Sequence, residues 1–400
     1  MDTNIKNTCR VELQRILSED IDHIIKREES LFDELTEPFS GSLVLFGAGG
    51  LGRKTLDGLQ RAGVTPLAFA DNNSDLWGTN VGGIQVLSPE EAARQFGNNA
   101  AFVVTIWRAG RGYRFADARR QLIGLKCAKV VSFASLFWKY KDIFLPYYAL
   151  SLPHELSKQA DLIESAFDLW TDDSSITEYL AQLRFRFYLD FDNLPSPVLH
   201  DQYFPEDLFK LKNDEVFIDC GAFDGDTVKA LLETHLPAFA GQIFALEPDP
   251  LNLQHLRDYV FDLDDDTRSR MTILPSAVGA NCGKVSFEST GTASSVVNQA
   301  GSLLIDCVSL DEILKNVKPT FIKMDIEGAE LDALTGASRL IRENAPILAI
   351  SVYHRPDDLW RIPLMMASLS SRYQYFLRAH NEEGWDLVCY AVPDDRIAVK

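Results

Sequence analysis

Apolar residues fall into two patterns along this chain, short unbroken runs and stripes spaced three or four apart, and the two alternate. Largely apolar runs of three to eight residues suit strands buried on both faces of a parallel sheet, and the stripes suit helices laid across them. Between residues 213 and 400 seven runs are strand candidates: 216–218, 243–246, 271–278, 319–325, 346–352, 373–379 and 385–392. The last two flank Asn381-Glu382-Glu383-Gly384 and predict a closing hairpin, so the sheet is mostly parallel with an antiparallel edge. Segments 284–288 and 304–310 read as further edge strands.

A smaller α/β unit is predicted over residues 41–136. It has runs at 43–46, 66–70, 101–105 and 129–133, and a helix face of Leu56, Leu59 and Ala62. Ahead of it, residues 1–40 are helical, with Leu13, Ile16, Leu17, Ile21 and Ile24 marking one amphipathic face. That face is expected to pack on the neighbouring domain; a homodimer contact is the alternative. Residues 137–212 are rich in aromatics and acids and predict a helical connector, interrupted near Pro195 and Pro197. Its aromatics are expected to pack between domains; covering the pocket of the last domain, 213–400, which the connector joins directly, is the alternative.

Two strand-to-helix loops carry candidate chemistry. In the last domain, Val216-Phe217-Ile218 ends in Asp219, then Cys220-Gly221-Ala222-Phe223-Asp224-Gly225, and the next strand ends in Glu247. Glycines at 221 and 225 leave room for a ligand near the backbone, and a carboxylate at 247 suits the two hydroxyls of a ribose. Asp219 in front of the first glycine would repel a pyrophosphate. It suits a cationic ligand end, such as the amino group and sulfonium of S-adenosylmethionine. Asp219, Glu247, Ser276, Asp325 and His354 all fall at the carboxyl ends of predicted strands, where an open α/β sheet binds its ligand. The other loop, Gly47-Ala48-Gly49-Gly50-Leu51-Gly52, is a complete G-x-G-x-x-G with an acid, Asp71, 19 residues further on. It raises a second class of function, a nicotinamide-dependent oxidoreductase or epimerase. The short domain and the lack of a following Tyr-x-x-x-Lys count against redox chemistry. A non-catalytic nucleotide-binding module is a third reading, against which the intact 219–247 set counts.

Net charge changes the range of partners. The 400 residues carry 39 basic and 58 acidic side chains, a net of −19. Such a chain is poorly suited to nucleic acid or to anionic membranes. Six cysteines, at 9, 127, 220, 282, 307 and 389, lie far apart without C-x-x-C pairs, which favours free thiols in a reducing compartment. With no signal-like start and no apolar run long enough to span a bilayer, a cytoplasmic enzyme with no membrane insertion is expected.

The segments Val216-Phe217-Ile218-Asp219-Cys220-Gly221-Ala222, Ala245-Leu246-Glu247-Pro248, Ala277-Val278-Gly279, Ser309-Leu310-Asp311-Glu312 and Phe321-Ile322-Lys323-Met324-Asp325-Ile326-Glu327-Gly328-Ala329-Glu330 resemble the FkbM family of S-adenosylmethionine-dependent methyltransferases. The resemblance covers roughly residues 200–392. It implies a class I methyltransferase (Rossmann-like) fold, S-adenosylmethionine as cofactor, and O-methylation of a sugar, polysaccharide or natural-product hydroxyl. Carried over, it puts Asp219, Gly221 and Gly225 at the methionine end, Glu247 at the ribose, and Ser276 and Ala277 beside the adenine. Ala222, Phe223, Pro248 and Asp325 complete the cofactor candidates. Residues 41–136 also resemble the Rossmann-like N-terminal domains of some sugar-modifying enzymes, through Asp71-Asn72-Asn73 and Gly82-Gly83-Ile84. An alcohol acceptor needs its proton removed as it attacks, and neutral His354 is the first candidate base, with Asp325 and Glu327 as competitors. Those two carboxylates have no His pair at ligand spacing beside them, so no metal site is assigned.

Overall fold

The computed structural model describes residues 3–110, 114–236, 238–289, 296–297, 301 and 303–398. Its first sheet is built on β1 (Leu43–Phe46) and β5 (Ala101–Val104), in which every residue is buried. With β2 (Ala68–Ala70), β3 (Asn80–Val81), β4 (Ile84–Leu87) and β6 (Lys129–Ser132) they form the order β3-β4-β2-β1-β5-β6. The pairs β1–β2, β1–β5, β2–β4 and β5–β6 are parallel. Four strands were expected; β3 and β4 are too short to show in the pattern. Gly82 and Gly83 join them as a two-residue turn, both at positive φ (56° and 85°), a hairpin geometry that asks for glycine.

The second sheet comprises β7 (Val216–Cys220), β8 (Gln242–Leu246), β9 (Met271–Leu274), β14 (Phe321–Met324), β15 (Ile347–Ser351), β16 (Tyr373–Ala379) and β17 (Leu387–Pro393), in the order β16-β17-β15-β14-β7-β8-β9. Strand β17 runs antiparallel to both β15 and β16, and the other pairs are parallel. This is the expected mostly parallel seven-stranded sheet, and its direction of winding switches between β7 and β14. Three expectations need correction. The run 271–278 is not one strand: it breaks at Pro275-Ser276, where proline cannot donate to the ladder. Its second half, β10 (Ala277–Val278), joins another sheet. Segments 284–288 and 304–310 are not edges of the main sheet. As β11 (Gly283–Glu288) and β13 (Leu303–Val308) they pair with β10 and β12 (Val296–Val297) in the order β10-β13-β11-β12.

The N-terminal stripe is two helices rather than one, Thr3–Leu17 and Ile21–Thr36, parted where Asp20 caps the second by accepting from the N–H groups of Asp22 and His23. Leu13 and Ile16 enter the core of the larger sheet, whereas Phe32 enters that of the smaller one. The helix Asp173–Tyr188, capped by Asp172, serves both cores at once. Ile176, Tyr179 and Leu183 face the larger, and Ala181 and Phe185 the smaller. Ser175 Oγ accepts from Leu377 N at 2.8 Å, and Arg378 pairs with Asp172 at 2.6 Å, fixing the helix against β16. No helix among the described residues is long and apolar enough to cross a membrane.

Candidate active site

The pocket of the larger sheet opens where β7, β8 and β14 end, beside the switch in winding, the position at which such sheets bind ligands. Register explains its floor. Asp219 pairs directly with Lys323 across β7 and β14, and their side chains form a buried ion pair at 3.0 Å. Lys323 also donates to Gly221 O at 2.6 Å. Burial pushes the Asp219 carboxyl up to about 6, against the pull of Lys323. Asp219 therefore does not face the pocket: its partner is a lysine of the neighbouring strand, and the sequence alone did not show that register.

Gly221 lines the pocket at φ 80°. A Cβ there would lie 2.0 Å from the Asp325 carbonyl oxygen, so the glycine lets two strand ends close on each other. Ala222 and Gly225 stand apart from the pocket wall. Ala222 packs with Ala245, Leu256 and Val260, and a Cβ on Gly225 would press on Tyr259 and Leu256 at 3.1 and 3.2 Å. These two serve loop geometry and packing. Phe223, Glu247, Pro248, Ser276, Ala277, Asp325 and Glu327 do line the pocket. Glu247 accepts from Phe223 N at 2.9 Å through one oxygen and from Asp249 N at 2.8 Å through the other. Each oxygen keeps a lone pair for a ligand hydroxyl. Burial, opposed by those two N–H groups, pushes its carboxyl up to about 7.

His354 lies behind the pocket wall. Its side chain is 1% exposed, with Nδ1 on Glu330 at 2.9 Å and Nε2 3.3 Å from Asp325 and 3.7 Å from Glu327. Burial disfavours the charged ring, but the three carboxylates, Glu330 foremost, outweigh it and raise its pKa to about 10. These carboxylates favour the imidazolium form, which has no lone pair to offer and so counts against the expectation of a neutral His354 base. Asp325, Glu330 and His354 set candidate ligand atoms within 4.8 Å of one another. A metal held there would require the ring neutral, its proton released on binding. Burial works to raise the Asp325 carboxyl, but His354, Lys323 and a 2.7 Å hydrogen bond from Tyr203 hold it below its ordinary value. Glu327 differs. Burial pushes it up to about 7 although His354 pulls it down. It also sits at φ 54°, a conformation uncommon for a side-chain-bearing residue and concentrated at functional sites.

The sequence did not single out Tyr203, Asp226, Tyr353 and Asp386, which also line the pocket. Tyr203 arrives from an irregular stretch with no periodicity to place it, and Asp386 from the β16–β17 turn. Asp226 stood inside the glycine loop and carried a signal, as one more acid beside the ligand. Among the described residues the wall holds five acids (Asp226, Glu247, Asp325, Glu327 and Asp386) and one cation, Lys323, already paired with Asp219.

Residues 219–380 match the family model described as the methyltransferase FkbM domain. The hexuronic acid methyltransferase AglP of Haloferax volcanii is 28% identical over 173 residues, 41% of this chain and 67% of that protein. The crystal structure of methyltransferase FkbM from Methylobacillus flagellatus KT superposes with a TM-score of 0.76 at 23% identity. It covers 97% of this chain and 99% of that one, so the two share their fold from end to end. With a seven-stranded sheet wound as described and a ligand pocket at its switch, residues 219–380 form an enzyme domain similar to the methyltransferases of the FkbM family.

Proposed function

We propose that the enzyme uses S-adenosylmethionine to methylate a hydroxyl of a saccharide acceptor, with Glu327 as the base. The observation that carries the cofactor reading is the pocket's charge. Among the described residues five acidic side chains face it, and the one lysine is paired with Asp219. That wall repels phosphate and favours a ligand bearing sulfonium and ammonium charge. Glu247 would hold the ribose diol through its spare lone pairs, and the apolar stretch of Leu246, Pro248, Val278 and Phe287 would take the adenine. S-adenosylmethionine, when bound, supplies an electrophilic methyl group. The chain's own task is to hold the acceptor and take its proton. Glu327, with a pKa of about 7, is matched to that task at neutral pH, while Asp325 is too weak a base and His354 is already protonated. The hexuronic acid named for the Haloferax relative is the basis for choosing a sugar hydroxyl. Thermal unfolding with S-adenosylhomocysteine tests the cofactor reading: at one hundred times the dissociation constant the fold gains about 2.7 kcal/mol. A melting curve unmoved by millimolar ligand counts against it.

A further inference from the structure

The smaller sheet carries a second pocket that the methyl-transfer reading does not use. It opens at the carboxyl ends of β1, β2 and β5, where winding switches between β1 and β5, and encloses about 720 Å³. Its frame repeats that of the methyl-transfer pocket. Gly47 N donates to Ala70 O at 2.8 Å, as Gly221 N donates to Leu246 O at 3.0 Å. Asp71, at the end of β2, accepts from Ala48 N at 2.6 Å and from Asn73 N at 2.7 Å. Glu247, at the end of β8, likewise accepts from its glycine loop and from the residue two further on. In both places a carboxylate with spare lone pairs stands where a ribose diol can reach it.

The wall chemistry is different. Among the described lining residues, Arg108 and Arg114 (the latter also paired with Glu382 at 3.4 Å) face the cavity beside Asp71 and Asp117. The helix Gly50–Arg61 starts at the pocket with no side-chain cap and no acid in its first turn. Its first N–H groups point where an anion is stabilised. Gly49 has an ordinary φ of −76°, and a Cβ on Gly49 or Gly50 would meet nothing within 4 Å. Neither backbone strain nor packing asks for glycine at these two positions. What they do provide is bare backbone facing the cavity.

We infer that this second pocket binds a ribonucleoside diphosphate, its phosphates on the 49–51 backbone and its ribose on Asp71. The ligand is either a free nucleotide or the nucleotide half of a sugar nucleotide. Position links it to the first pocket. Trp107, in its wall, donates to Glu383 O at 3.3 Å and packs on Trp385 at 5.0 Å between ring centroids. Trp385 in turn packs on Tyr353, at 5.7 Å, and Tyr353 lines the first pocket. This inference stands apart from the cofactor assignment, and its test keeps the two separate.

The experiment is calorimetric titration of the full chain with UDP, ADP and a UDP-hexose, each to about 1 mM. Titration with S-adenosylhomocysteine runs in parallel. Saturable binding of a diphosphate is expected, weakened at least about tenfold by Gly49→Val, whose new side chain enters open space. S-adenosylhomocysteine binding should be unchanged in that variant. Should Gly49→Val lose its cooperative melt, Gly50→Ala replaces it with the same expectation. Tighter binding of the UDP-hexose than of UDP assigns the sugar nucleotide, and equal binding assigns the free nucleotide. No heat with any of the three, or equal affinity in the glycine variants, overturns the inference.

Discussion

Replacing His354 with glutamine removes an imidazolium that faces Glu330 at 2.9 Å, Asp325 at 3.3 Å and Glu327 at 3.7 Å. The folded protein raises this ring from 6.5 to about 10. A raised pKa means that the native state holds the proton more tightly than the unfolded chain does. The stabilisation is fully present below pH 6.5 or so and is lost as pH climbs through about 10. Three to four pH units correspond to about 4–5 kcal/mol, in line with the roughly 3–5 kcal/mol lost when a buried ion pair is broken. That figure is an upper bound, because Glu327 can take up a proton once its counter-charge is gone. Denaturant unfolding of both proteins at pH 7, 8, 9 and 10 is the assay. The glutamine variant should be the weaker at pH 7, and the gap should narrow by up to about 1.4 kcal/mol per pH unit towards pH 10. A gap that stays constant or widens with pH refutes the charged-ring reading. So does a variant of wild-type stability whose turnover falls 10²- to 10⁴-fold, the mark of a neutral base.

Glu327→Gln should lower single-turnover methylation by roughly 10²- to 10⁴-fold and leave S-adenosylhomocysteine affinity intact. The wild-type rate should rise with pH through about 7 as Glu327 loses its proton, and a variant with the wild-type rate and profile moves the base elsewhere. Tyr203→Phe deletes the hydroxyl that donates to Asp325 at 2.7 Å. It should cost about 1.5–3 kcal/mol in denaturant unfolding, and an unchanged midpoint would show that this bond does not hold the site. Dialysis against a chelator should leave turnover unchanged, as methyl transfer from a sulfonium needs no metal; activity lost and then restored by magnesium contradicts that.

The main architecture was legible because parallel strands covered on both faces must be unbroken apolar runs, as in Phe217, Ile218, Ile322 and Ile350. What the runs could not show was register and neighbourhood. Asp219 was visible as an acid before a glycine, but its pairing with Lys323 depends on how β7 and β14 align. His354 was visible at a strand end, but its charge is set by Glu330, 24 residues earlier on a neighbouring helix. Ala222 and Gly225 belong to the loop that shapes the pocket, and only contacts distinguish shaping from lining. The small sheet of β10–β13 was obscured because Ala277 and Val278 continue an apolar run across a proline.

The central claim is that Glu247 anchors a methyl-donor nucleoside in the pocket at the ends of β7, β8 and β14. Calorimetric titration of S-adenosylhomocysteine into the wild type and Glu247→Ala tests it most directly. The account predicts micromolar binding to the wild type. Loss of two hydrogen bonds to a carboxylate, together about 3 kcal/mol, should weaken it about 100-fold in the variant. Equal affinity in the two proteins, or no binding to the wild type, would contradict the account.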